Sequence, residues 1–454
     1  MQNETSVAHD ATPTGRGSRM KFSARIAAPA AALVLAGLTA TACGAPKTSD
    51  TGAKEDARTG TLRVWLFQEV GNKPKEKVVD TAVDGFRKTH KDTKVEIEYI
   101  PVETRAQRVK AAFNDPESAP DLIEYGNTDT AGYVKDGGLA DVSAEFAAWG
   151  EAEDTDPTAE QSVTVDGKVY GAPLFVGVRA LYYRTDVFAE LGIKAPKSQA
   201  ELISTARKIH KKKPDLYGLA VGGAYTYGAM PFIWANGGEL ADGSGSAYKA
   251  AINSDKARKG IEAYTSLFGD TNCPAAKCAA MGGNATVTAF AAGKAAMAIG
   301  GDFSHTAVEA GTVKGKYAVV PLPGVAEGSV APAFAGGNNI GVLRSSAHRT
   351  LAVDLMKALT GKATQARMFD AMGFLPTYTD VRADAAKREP FVGPFVETLG
   401  AGARFVPASP AWGQIDSSLI LPTMFQEIVS GRKDVAKAAD DAAKKMDAAF
   451  ADAG

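Results

Sequence analysis

The stretch Thr61-Leu-Arg-Val-Trp-Leu-Phe67 begins an alternation of strand and helix patterns, and this alternation decides the fold class. Its apolar, β-branched and aromatic residues predict a strand. A helix is predicted over residues 75–90, because apolar side chains recur there at helical spacing. A strand at 95–100, a helix at 105–114 and a strand at 120–125 follow. Strands that alternate with helices favour an α/β fold with a mainly parallel sheet covered by helices.

A second α/β unit is predicted to begin near Val176. About 400 residues follow the N-terminal leader, and a single hydrophobic core rarely grows past ~250–300 residues, so we expect two lobes. The predicted strands of the second half lie at 180–184, 216–221, 295–299, 317–321 and 339–343, and its predicted helices at 199–211, 256–268, 286–292, 348–359, 363–372 and 433–450.

The composition argues against several classes of protein. The chain has 454 residues and a net charge of −1, so it has no bulk positive charge that would attract nucleic acid. The three cysteines and the histidines show no metal-ligand spacing, and we expect no metal and no cofactor. The sequence contains no Gly-x-x-x-x-Gly-Lys-Ser/Thr motif, so ATP would be hydrolysed by another protein.

The N-terminal segment has the order of an export signal: basic residues, an apolar run, small residues and then Cys43. The apolar run at 26–38 is too short for a bilayer, which needs roughly 20 apolar residues. We therefore expect residues 1–42 to end in a signal peptide that is removed. Translation is expected to start at Met20, so that residues 1–19 would lie upstream of the true start. The segment resembles a bacterial lipoprotein signal, although Ala40 stands where Leu is usual, and the resemblance implies a lipid on Cys43. The alternative is an ordinary secretory signal in which Cys43 is incidental.

The residues after the signal are polar and include almost no apolar side chains. This composition predicts that 43–60 is a lipid anchor followed by a flexible tether. Cys273 and Cys278 lie close together, and in an exported protein such a pair most often forms a disulfide. Their spacing differs from that of a thioredoxin-like motif, which argues against a redox role.

Several motifs, taken together and in this order, resemble one family. They are Pro120-Asp-Leu-Ile-Glu-Tyr-Gly-Asn-Thr-Asp129, Asp166-Gly-Lys-Val-Tyr-Gly-Ala-Pro173, Leu181-Tyr-Tyr-Arg-Thr-Asp186, Trp234-Ala-Asn-Gly-Gly-Glu239, Phe290-Ala-Ala-Gly-Lys-Ala-Ala-Met297, Ala335-Gly-Gly-Asn-Asn339 and Gly373-Phe-Leu-Pro-Thr377. The chain resembles the carbohydrate-binding proteins of ABC importers, the extracellular solute-binding family 1 that includes the maltodextrin-binding protein. The resemblance extends from about Leu62 to Ala449 and is strongest to actinobacterial binders of disaccharides and chitooligosaccharides.

The resemblance implies a two-lobe, periplasmic-binding-protein-like α/β fold with the ligand in a cleft between discontinuous lobes. Crossings between the lobes are expected near Val176, Ala335 and Tyr378. The N-terminal lobe would then comprise 61–176 and 335–378, and the C-terminal lobe 177–334 and 379–450. Closure around the ligand would be a hinge motion.

The same resemblance implies binding residues in the first lobe. Gln68 and Glu69 follow the first strand, at a family position that carries an acceptor for sugar hydroxyls. Tyr125 ends the third strand, where the family places a stacking aromatic residue. Asn127, Thr128 and Asp129 follow in the loop; Thr128 or Asp129 could instead cap the next helix.

Further binding residues are implied in and beside the second lobe. Phe175 and Arg179 flank the first crossing, and Arg179 could instead form an interlobe ion pair. Tyr225 and Tyr227 match a segment with polar and aromatic contacts, while Met230 stands where the maltodextrin-binding protein has Trp. Trp234 is expected in the core.

The last group of candidates lies in three motifs. Asp302 and Phe303 replace the Gly-Pro-Trp usual in the family, and Asp302 would add an acceptor for a hydroxyl or an amide N–H. Asn338 follows two glycines that serve a turn. Trp412 matches a stacking Trp, and the Pro407-Ala-Ser-Pro-Ala411 segment before it predicts an exposed loop. Aromatic faces stack on the C–H faces of a sugar, and polar side chains bind its hydroxyls.

The predicted function is a non-enzymatic, lipid-anchored subunit on the extracellular face of the cell membrane. It would capture a small oligosaccharide, such as a chitobiose-, malto- or cello-type disaccharide, and deliver it to an ABC permease coupled to a cytoplasmic ATPase. We expect a monomer that touches the membrane only through its lipid. The alternatives are an exported glycan-degrading enzyme with paired carboxylates and a binder of a non-sugar solute.

Overall fold

The structure is a computed structural model, and it describes residues 56–69, 72–101, 104–244 and 247–453. The predicted signal peptide, Cys43 and most of the predicted tether lie outside the described residues. None of the helices in the described ranges has both the length and the apolar character needed to cross a membrane.

The strands and helices alternate along the chain as the sequence predicts. The strands are β1 Gly60–Phe67, β2 Thr93–Ile100, β3 Leu122–Gly126, β4 Thr164–Val165, β5 Lys168–Val169, β6 Ala172–Gly177, β7 Arg179–Arg184, β8 Ala241–Asp242, β9 Lys249–Ala250, β10 Met297–Gly301, β11 Tyr317–Val320 and β12 Gly336–Val342. The predicted strand at 216–221 is reduced to isolated parallel bridges from Tyr217 to Ala295 and from Ala220 to Ala298.

The helices in the first half are α1 Lys73–Thr89, α2 Arg105–Asn114, α3 Thr130–Lys135, α4 Ser143–Ala147, α5 Pro157–Gln161, α6 Thr185–Glu190, α7 Gln199–Lys212 and α8 Thr226–Ala235. Those that follow are α9 Asp255–Thr265, α10 Ala275–Cys278, α11 Gly283–Ala291, α12 His305–Glu309, α13 Arg349–Thr360, α14 Lys362–Met372, α15 Thr379–Arg388, α16 Gly393–Gly400, α17 Trp412–Ser417, α18 Ile420–Val429 and α19 Val435–Ala453. Short 3-10 helices lie at Ala152–Asp154, Asp302–Ser304 and Pro390–Val392.

The larger sheet has five strands in the order β2-β1-β3-β12-β6. β1 pairs in parallel with β2 and β3, as the alternation of strands and helices predicts. The other two pairings in this sheet are antiparallel, so the prediction of a mainly parallel sheet is wrong. β12 returns from a distant part of the chain and pairs antiparallel with both β3 and β6. Gly337 in β12 has a φ of 131°, and a Cβ there would lie 2.1 Å from the Phe175 carbonyl oxygen, so this position requires glycine.

Each sheet has its own hydrophobic core. The predicted apolar face of α1, which includes Val79, Val83 and Phe86, is buried against β1 and α13. Burying one such side chain contributes about 1.5–3 kcal/mol, so this packing fixes α1 on the sheet. On the other face, Ile123, Tyr125 and Tyr133 form a smaller cluster.

The second sheet has three strands in the order β10-β7-β11, and both neighbours are antiparallel to β7. Helices α7, α8, α9, α18 and α19 build the largest core in this part of the molecule. α19 buries one apolar face that includes Ala442, Met446 and Phe450, as expected for a helix that packs on the surface of the domain. Cys273 and Cys278 form the predicted disulfide, at the start and end of a turn that includes α10.

The two sheets are joined where the first and third expected crossings pair with each other. The Val176 amide donates to the Leu375 carbonyl at 3.0 Å, and the two residues form an antiparallel bridge. The Asp156 amide donates to the Thr377 carbonyl at 2.8 Å, just before α15. The exact limits of the two lobes remain a prediction.

Candidate functional site

A buried ion pair lies where β1 and β3 end. Lys75 Nζ donates to Glu124 Oε2 at 2.9 Å and to the Phe67 carbonyl at 2.8 Å, and both charged side chains are almost completely buried. Glu124 Oε2 also accepts the Phe67 amide at 2.8 Å. Asn338 Nδ2 donates to Glu124 Oε1 at 2.7 Å, so this predicted ligand residue belongs to the buried network. Neither Lys75 nor Glu124 was among the residues predicted from the sequence.

Gln68 and Glu69 lie on the loop that this network anchors. Gln68 is exposed, and its amide donates to the Ile100 carbonyl at 2.9 Å. Glu69 Oε1 lies 3.6 Å from Lys75 Nζ. Burial raises the pKa of Glu69, while the charge of Lys75 acts in the opposite direction. Gln68 and Glu69 therefore stand at the carboxyl end of the sheet, where the resemblance places ligand contacts.

Tyr125 lies in the core. Its side chain is completely buried against Tyr133, with ring centroids 5.8 Å apart, and its hydroxyl donates to the Tyr170 carbonyl at 3.4 Å. The expected stacking on a ligand needs an exposed ring face, which Tyr125 lacks here. We therefore leave Tyr125 out of the proposed site.

The loop after β3 lies between the two halves of the molecule. The Asn127 amide donates to Gly337, and its side-chain nitrogen donates to the Ala335 carbonyl, both at 3.0 Å, so Asn127 holds the second expected crossing. Neither Thr128 nor Asp129 caps α3 through its side chain, which removes the capping alternative. Burial raises the pKa of Asp129 to about 6, against the charge of Arg105.

Arg179 forms the centre of an aromatic cluster. Its guanidinium carbon lies 5.4 Å from the centroid of Tyr227, 5.6 Å from that of Phe303 and 5.1 Å from that of Phe334. Tyr227 and Phe334 stack with centroids 4.5 Å apart. The structure thus brings together three candidates from separate motifs. Phe334 was missed, and its only sequence signal is its position next to the Ala335-Gly-Gly-Asn-Asn339 motif.

Several hydrogen-bond donors in and beside this cluster are unsatisfied. Arg179 Nε and Nη1 are buried, and neither has a partner among the residues that the structure describes. Trp412 Nε1 is also buried; it lies beside the Tyr227 side chain but makes no hydrogen bond of good geometry there. Within the described ranges, Arg179 Nε and Nη1 meet no carboxylate, which argues against the interlobe salt bridge that was its alternative role. Buried donors without partners cost about 1–3 kcal/mol each, so acceptors supplied by a ligand would be favourable here.

Acidic groups lie at the edge of the same cluster. Burial is the largest cause that raises the pKa of Tyr227. The negative charges of Asp416 and Asp129 raise this pKa further, and the positive charge of Arg179 lowers it. Asp416 is exposed as a residue, but the protein around its carboxyl partly removes water from it, and this desolvation raises the pKa of Asp416.

Trp412 is buried, in contrast to the exposed loop that the sequence predicted. Only 1% of its surface is exposed, because it starts α17 and packs into the core of the second half. The indole N–H of Trp412 is the one polar group through which this side chain could bind a ligand. Two other candidates are also packed away: Tyr225 is buried, and Phe175 stacks on Phe374 with centroids 4.3 Å apart.

Asp302 points into the protein interior, whereas the sequence predicted an acceptor available to a ligand. Its side chain is completely buried, and Oδ1 accepts the Val178 amide at 2.7 Å while Oδ2 accepts the Leu375 amide at 3.3 Å. Both carboxyl oxygens of Asp302 are therefore used by backbone amides of the protein. Phe303, the next residue, is 36% exposed and completes the aromatic cluster.

A cavity of about 400 Å³ adjoins this region. Its walls come from the loop after β3, from residues 161–165, from the segment after α8, and from residues 403–408, which precede Trp412. Arg404 and Glu239 form an ion pair in its wall. A volume of this size suits a small organic ligand. No group of three or more potential metal ligands occurs within the described parts of the chain.

Comparisons with known proteins agree with this architecture. Residues 68–366 match the family of bacterial extracellular solute-binding proteins. The sugar-binding protein MalE of Xanthomonas citri superposes with a TM-score of 0.75 at 22% identity, over 86% of this chain and 98% of its own. A receptor of Streptomyces glaucescens, GacH, gives 0.74 at 22% identity, over 87% and 100%. These structural matches show that the two-lobe α/β fold expected from the sequence is correct.

Two relatives match over almost their full length. The diacetylchitobiose-binding protein DasA of Streptomyces coelicolor is 27% identical over 92% of this chain and 97% of its own. The galactooligosaccharide-binding protein of Bacillus subtilis is 26% identical over 90% and 93%. The family is non-enzymatic, which argues against the glycan-degrading alternative. On the sequence match and the fold together, the chain belongs to the bacterial extracellular solute-binding protein family.

Proposed function

We propose that this protein is the saccharide-binding subunit of an ABC importer. The observation that carries the proposal is the unsatisfied Arg179 guanidinium, which lies among aromatic rings between the two halves of the molecule. A binding protein should pre-form such a site, because ordering a charged side chain at the moment of binding costs affinity.

The chemistry of the site suits a sugar. Phe303 offers a partly exposed ring to the apolar face of a pyranose. Arg179 and Trp412 offer donors to its oxygen atoms, and Asp129 and Asp416 can accept from its hydroxyls. A hydroxyl both donates and accepts, so a polyhydroxylated ligand satisfies both kinds of group.

The names of the relatives suggest which sugars to test first. DasA binds diacetylchitobiose and the Bacillus protein binds galactooligosaccharides, as their names state. We propose a disaccharide or short oligosaccharide as the ligand of this chain. The cavity of about 400 Å³ next to the aromatic cluster would accommodate part of a longer chain.

Transport follows from closure of the two lobes around the sugar. The lobes would comprise 61–176 with 335–378, and 177–334 with 379–450. A ligand favours the closed form to the extent that it binds that form more tightly. We propose that an ABC permease, energised by a cytoplasmic ATPase, recognises the closed monomer. A lipid on Cys43 would hold the protein at the extracellular face of the membrane, where tethering raises its effective concentration near the permease.

The test is a binding screen with the exported domain. Diacetylchitobiose, maltose, cellobiose and a galactooligosaccharide are compared by thermal shift and calorimetry. A ligand at 100 times its Kd contributes about 2.7 kcal/mol, which should raise the Tm by roughly 5–10 °C. If no saccharide shifts the Tm while an amino compound or a polyol does, the protein binds a non-sugar solute.

Matched variants locate the site. Arg179→Met keeps the apolar stem and removes the donors, so saccharide affinity should fall about tenfold or more. Arg207→Met, on the exposed side of α7, serves as the control and should leave the Kd unchanged. Equal affinities for the two variants would place the sugar elsewhere.

The anchor needs a separate experiment, because Cys43 lies outside the described residues. Mass spectrometry of the protein purified from membranes should find a diacylglyceryl group on Cys43. Cys43→Ser should release the protein into the medium. An unmodified mature N-terminus at another residue would show that the segment is an ordinary secretory signal.

A further inference from the structure

Asp302 occupies a position at which three separate segments of the chain meet. It follows β10 and begins the 3-10 helix Asp302–Ser304. Its Oδ1 accepts the Val178 amide at 2.7 Å, between β6 and β7, and its own amide donates to the Val178 carbonyl at 3.1 Å. Its Oδ2 accepts the Leu375 amide at 3.3 Å. One carboxylate therefore binds both the first and the third expected crossing.

These contacts add to a direct link between the same two segments. The Val176 amide donates to the Leu375 carbonyl, so Leu375 is held through its oxygen by one segment and through its nitrogen by Asp302. Without the carboxylate, the Val178 and Leu375 amides would be buried without these acceptors, which costs about 1–3 kcal/mol for each. The orientation of the crossings relative to β10 thus depends on this side chain.

The residues next to Asp302 connect the crossings to the candidate binding site. Phe303 lies over Gly177: a Cβ added at Gly177 would be 3.3 Å from the Phe303 ring. Arg179 lies two residues beyond Gly177. Its guanidinium also contacts the Phe303 ring, as part of the aromatic cluster. A change in the backbone at residues 177–179 would therefore move Phe303 and Arg179 relative to each other.

We propose that Asp302 is a positioning residue that sets saccharide affinity by clamping two interlobe crossings in the orientation that assembles the Phe303–Arg179 pair. This inference rests on the proposed saccharide-binding function. Asp302 itself makes no contact with the ligand. It acts on binding through the hinge.

The charge state of Asp302 should make saccharide affinity depend on pH, and this dependence can be used to test the proposal. Burial raises its pKa to about 7, against the amides of Val178 and Leu375 and the charge of Arg179. Arg179 and Tyr182, both on β7, are the charged and titratable side chains that face it. The ionised carboxylate accepts both amides, whereas the protonated form presents a hydroxyl to one of them. Saccharide affinity should therefore rise as the pH rises from 6 to 8.

The experiment compares the wild type, Asp302→Asn and Asp302→Ala in the exported domain, with a saccharide that the screen above identifies. Asp302→Asn keeps the size and one acceptor but places an amide donor against the other backbone N–H. We expect the Kd to increase about fivefold or more, in the range typical of coupling between sites. The change of the Kd between pH 6 and pH 8 should become smaller than in the wild type, and the part that remains belongs to Asp129, whose pKa is also raised. Asp384→Asn, an exposed position on α15, should behave as the wild type.

Two results separate this inference from the proposed function. If the wild type binds no saccharide, the proposed function fails, and the inference with it. If the wild type binds, but Asp302→Asn has the same Kd and the same pH profile, Asp302 is only structural and the inference alone is wrong.

If Asp302→Ala does not fold, the proposal can still be tested by measuring amide hydrogen exchange in the wild type. In the wild type, the Val178 and Leu375 amides should exchange more slowly once saccharide is bound, because the clamp and the closed form stabilise each other. Unchanged protection of both amides on binding would overturn the inference.

Discussion

At the residue scale, the pair of Lys75 and Glu124 shows how a charge can be retained in the core. Lys75 Nζ is surrounded by the Phe67 carbonyl and both Glu124 oxygens, and Glu124 in turn accepts the Phe67 amide and Asn338. Each charge is compensated by hydrogen bonds, which offsets the desolvation cost. The pair thereby fixes the start of the loop that carries Gln68 and Glu69.

Removing one partner of this pair should be severely destabilising. Lys75→Met leaves the Glu124 carboxylate buried without its cation, so the free energy of unfolding should fall by about 3–5 kcal/mol. The double variant Lys75→Met/Glu124→Gln removes both charges and should be more stable than Lys75→Met alone. Urea unfolding of the three proteins measures this. A double variant less stable than the single one would show that the pair itself is not the cause.

Trp412 packs in the core and also has an indole N–H that could bind a ligand. Two substitutions separate the contribution of the packing from that of the N–H. Trp412→Phe keeps an aromatic ring in the core but removes the unpartnered Nε1–H, so saccharide affinity should fall about tenfold, or ~1.4 kcal/mol. Trp412→Ala should also lower the free energy of unfolding by about 3–5 kcal/mol, because it leaves a cavity. Calorimetric titration and urea unfolding give the two quantities. An unchanged Kd for Trp412→Phe would mean that the indole nitrogen does not meet the ligand.

At the scale of the element, the turn that includes α10 is held by its disulfide. Cys273 and Cys278 are completely buried and five positions apart, and they attach α10 to the large core of the second half. The turn lies in a part of the fold that contributes no residue to the proposed site. It should therefore affect stability and leave binding unaffected.

The double variant Cys273→Ala/Cys278→Ala tests this separation. Closing so short a loop restricts the unfolded chain modestly, so its loss should lower the free energy of unfolding by about 2 kcal/mol. The Kd for saccharide should remain that of the wild type. Denaturation of the wild type with and without a reductant provides an independent control. A clear loss of affinity would connect α10 to the binding site.

At the scale of the whole molecule, two buried carboxyl groups connect folding to pH. Burial raises the pKa of Asp302 to about 7 and that of Asp129 to about 6, from the 3.8 of an ordinary Asp carboxyl. The folded protein therefore keeps these protons at pH values where the unfolded chain has lost them. The stability that results is fully present below pH ~4 and is lost as the pH rises through 6 to 7.

Asp302→Asn isolates the larger of these effects. For Asp302, a pKa difference of this size corresponds to at most about 4 kcal/mol. The stability of the wild type relative to Asp302→Asn should fall as the pH rises from 4 to 8. Urea unfolding at several pH values measures that difference, and other groups cancel in it. A difference that does not vary with pH would mean that Asp302 has an ordinary pKa.

Local patterns were sufficient to predict most helices and strands. The apolar face of α1 and the alternation in β2 follow directly from the period of their side chains. The motifs identified the family, because they occur in a fixed order along nearly the whole chain. The paired cysteines predicted the disulfide from proximity and export alone.

The sequence by itself therefore determined the fold class, the family resemblance and the segments that carry Arg179, Tyr227 and Phe303. Only the tertiary structure decided which of the candidates lie together. Tyr125 and Trp412 are packed in cores, and Asp302 binds the backbone of the crossings instead of facing the ligand. The reason is that period and propensity are local, whereas burial and hydrogen-bond partners depend on segments that are far apart in the chain. Residues 178, 302 and 375 meet only when the two halves have folded.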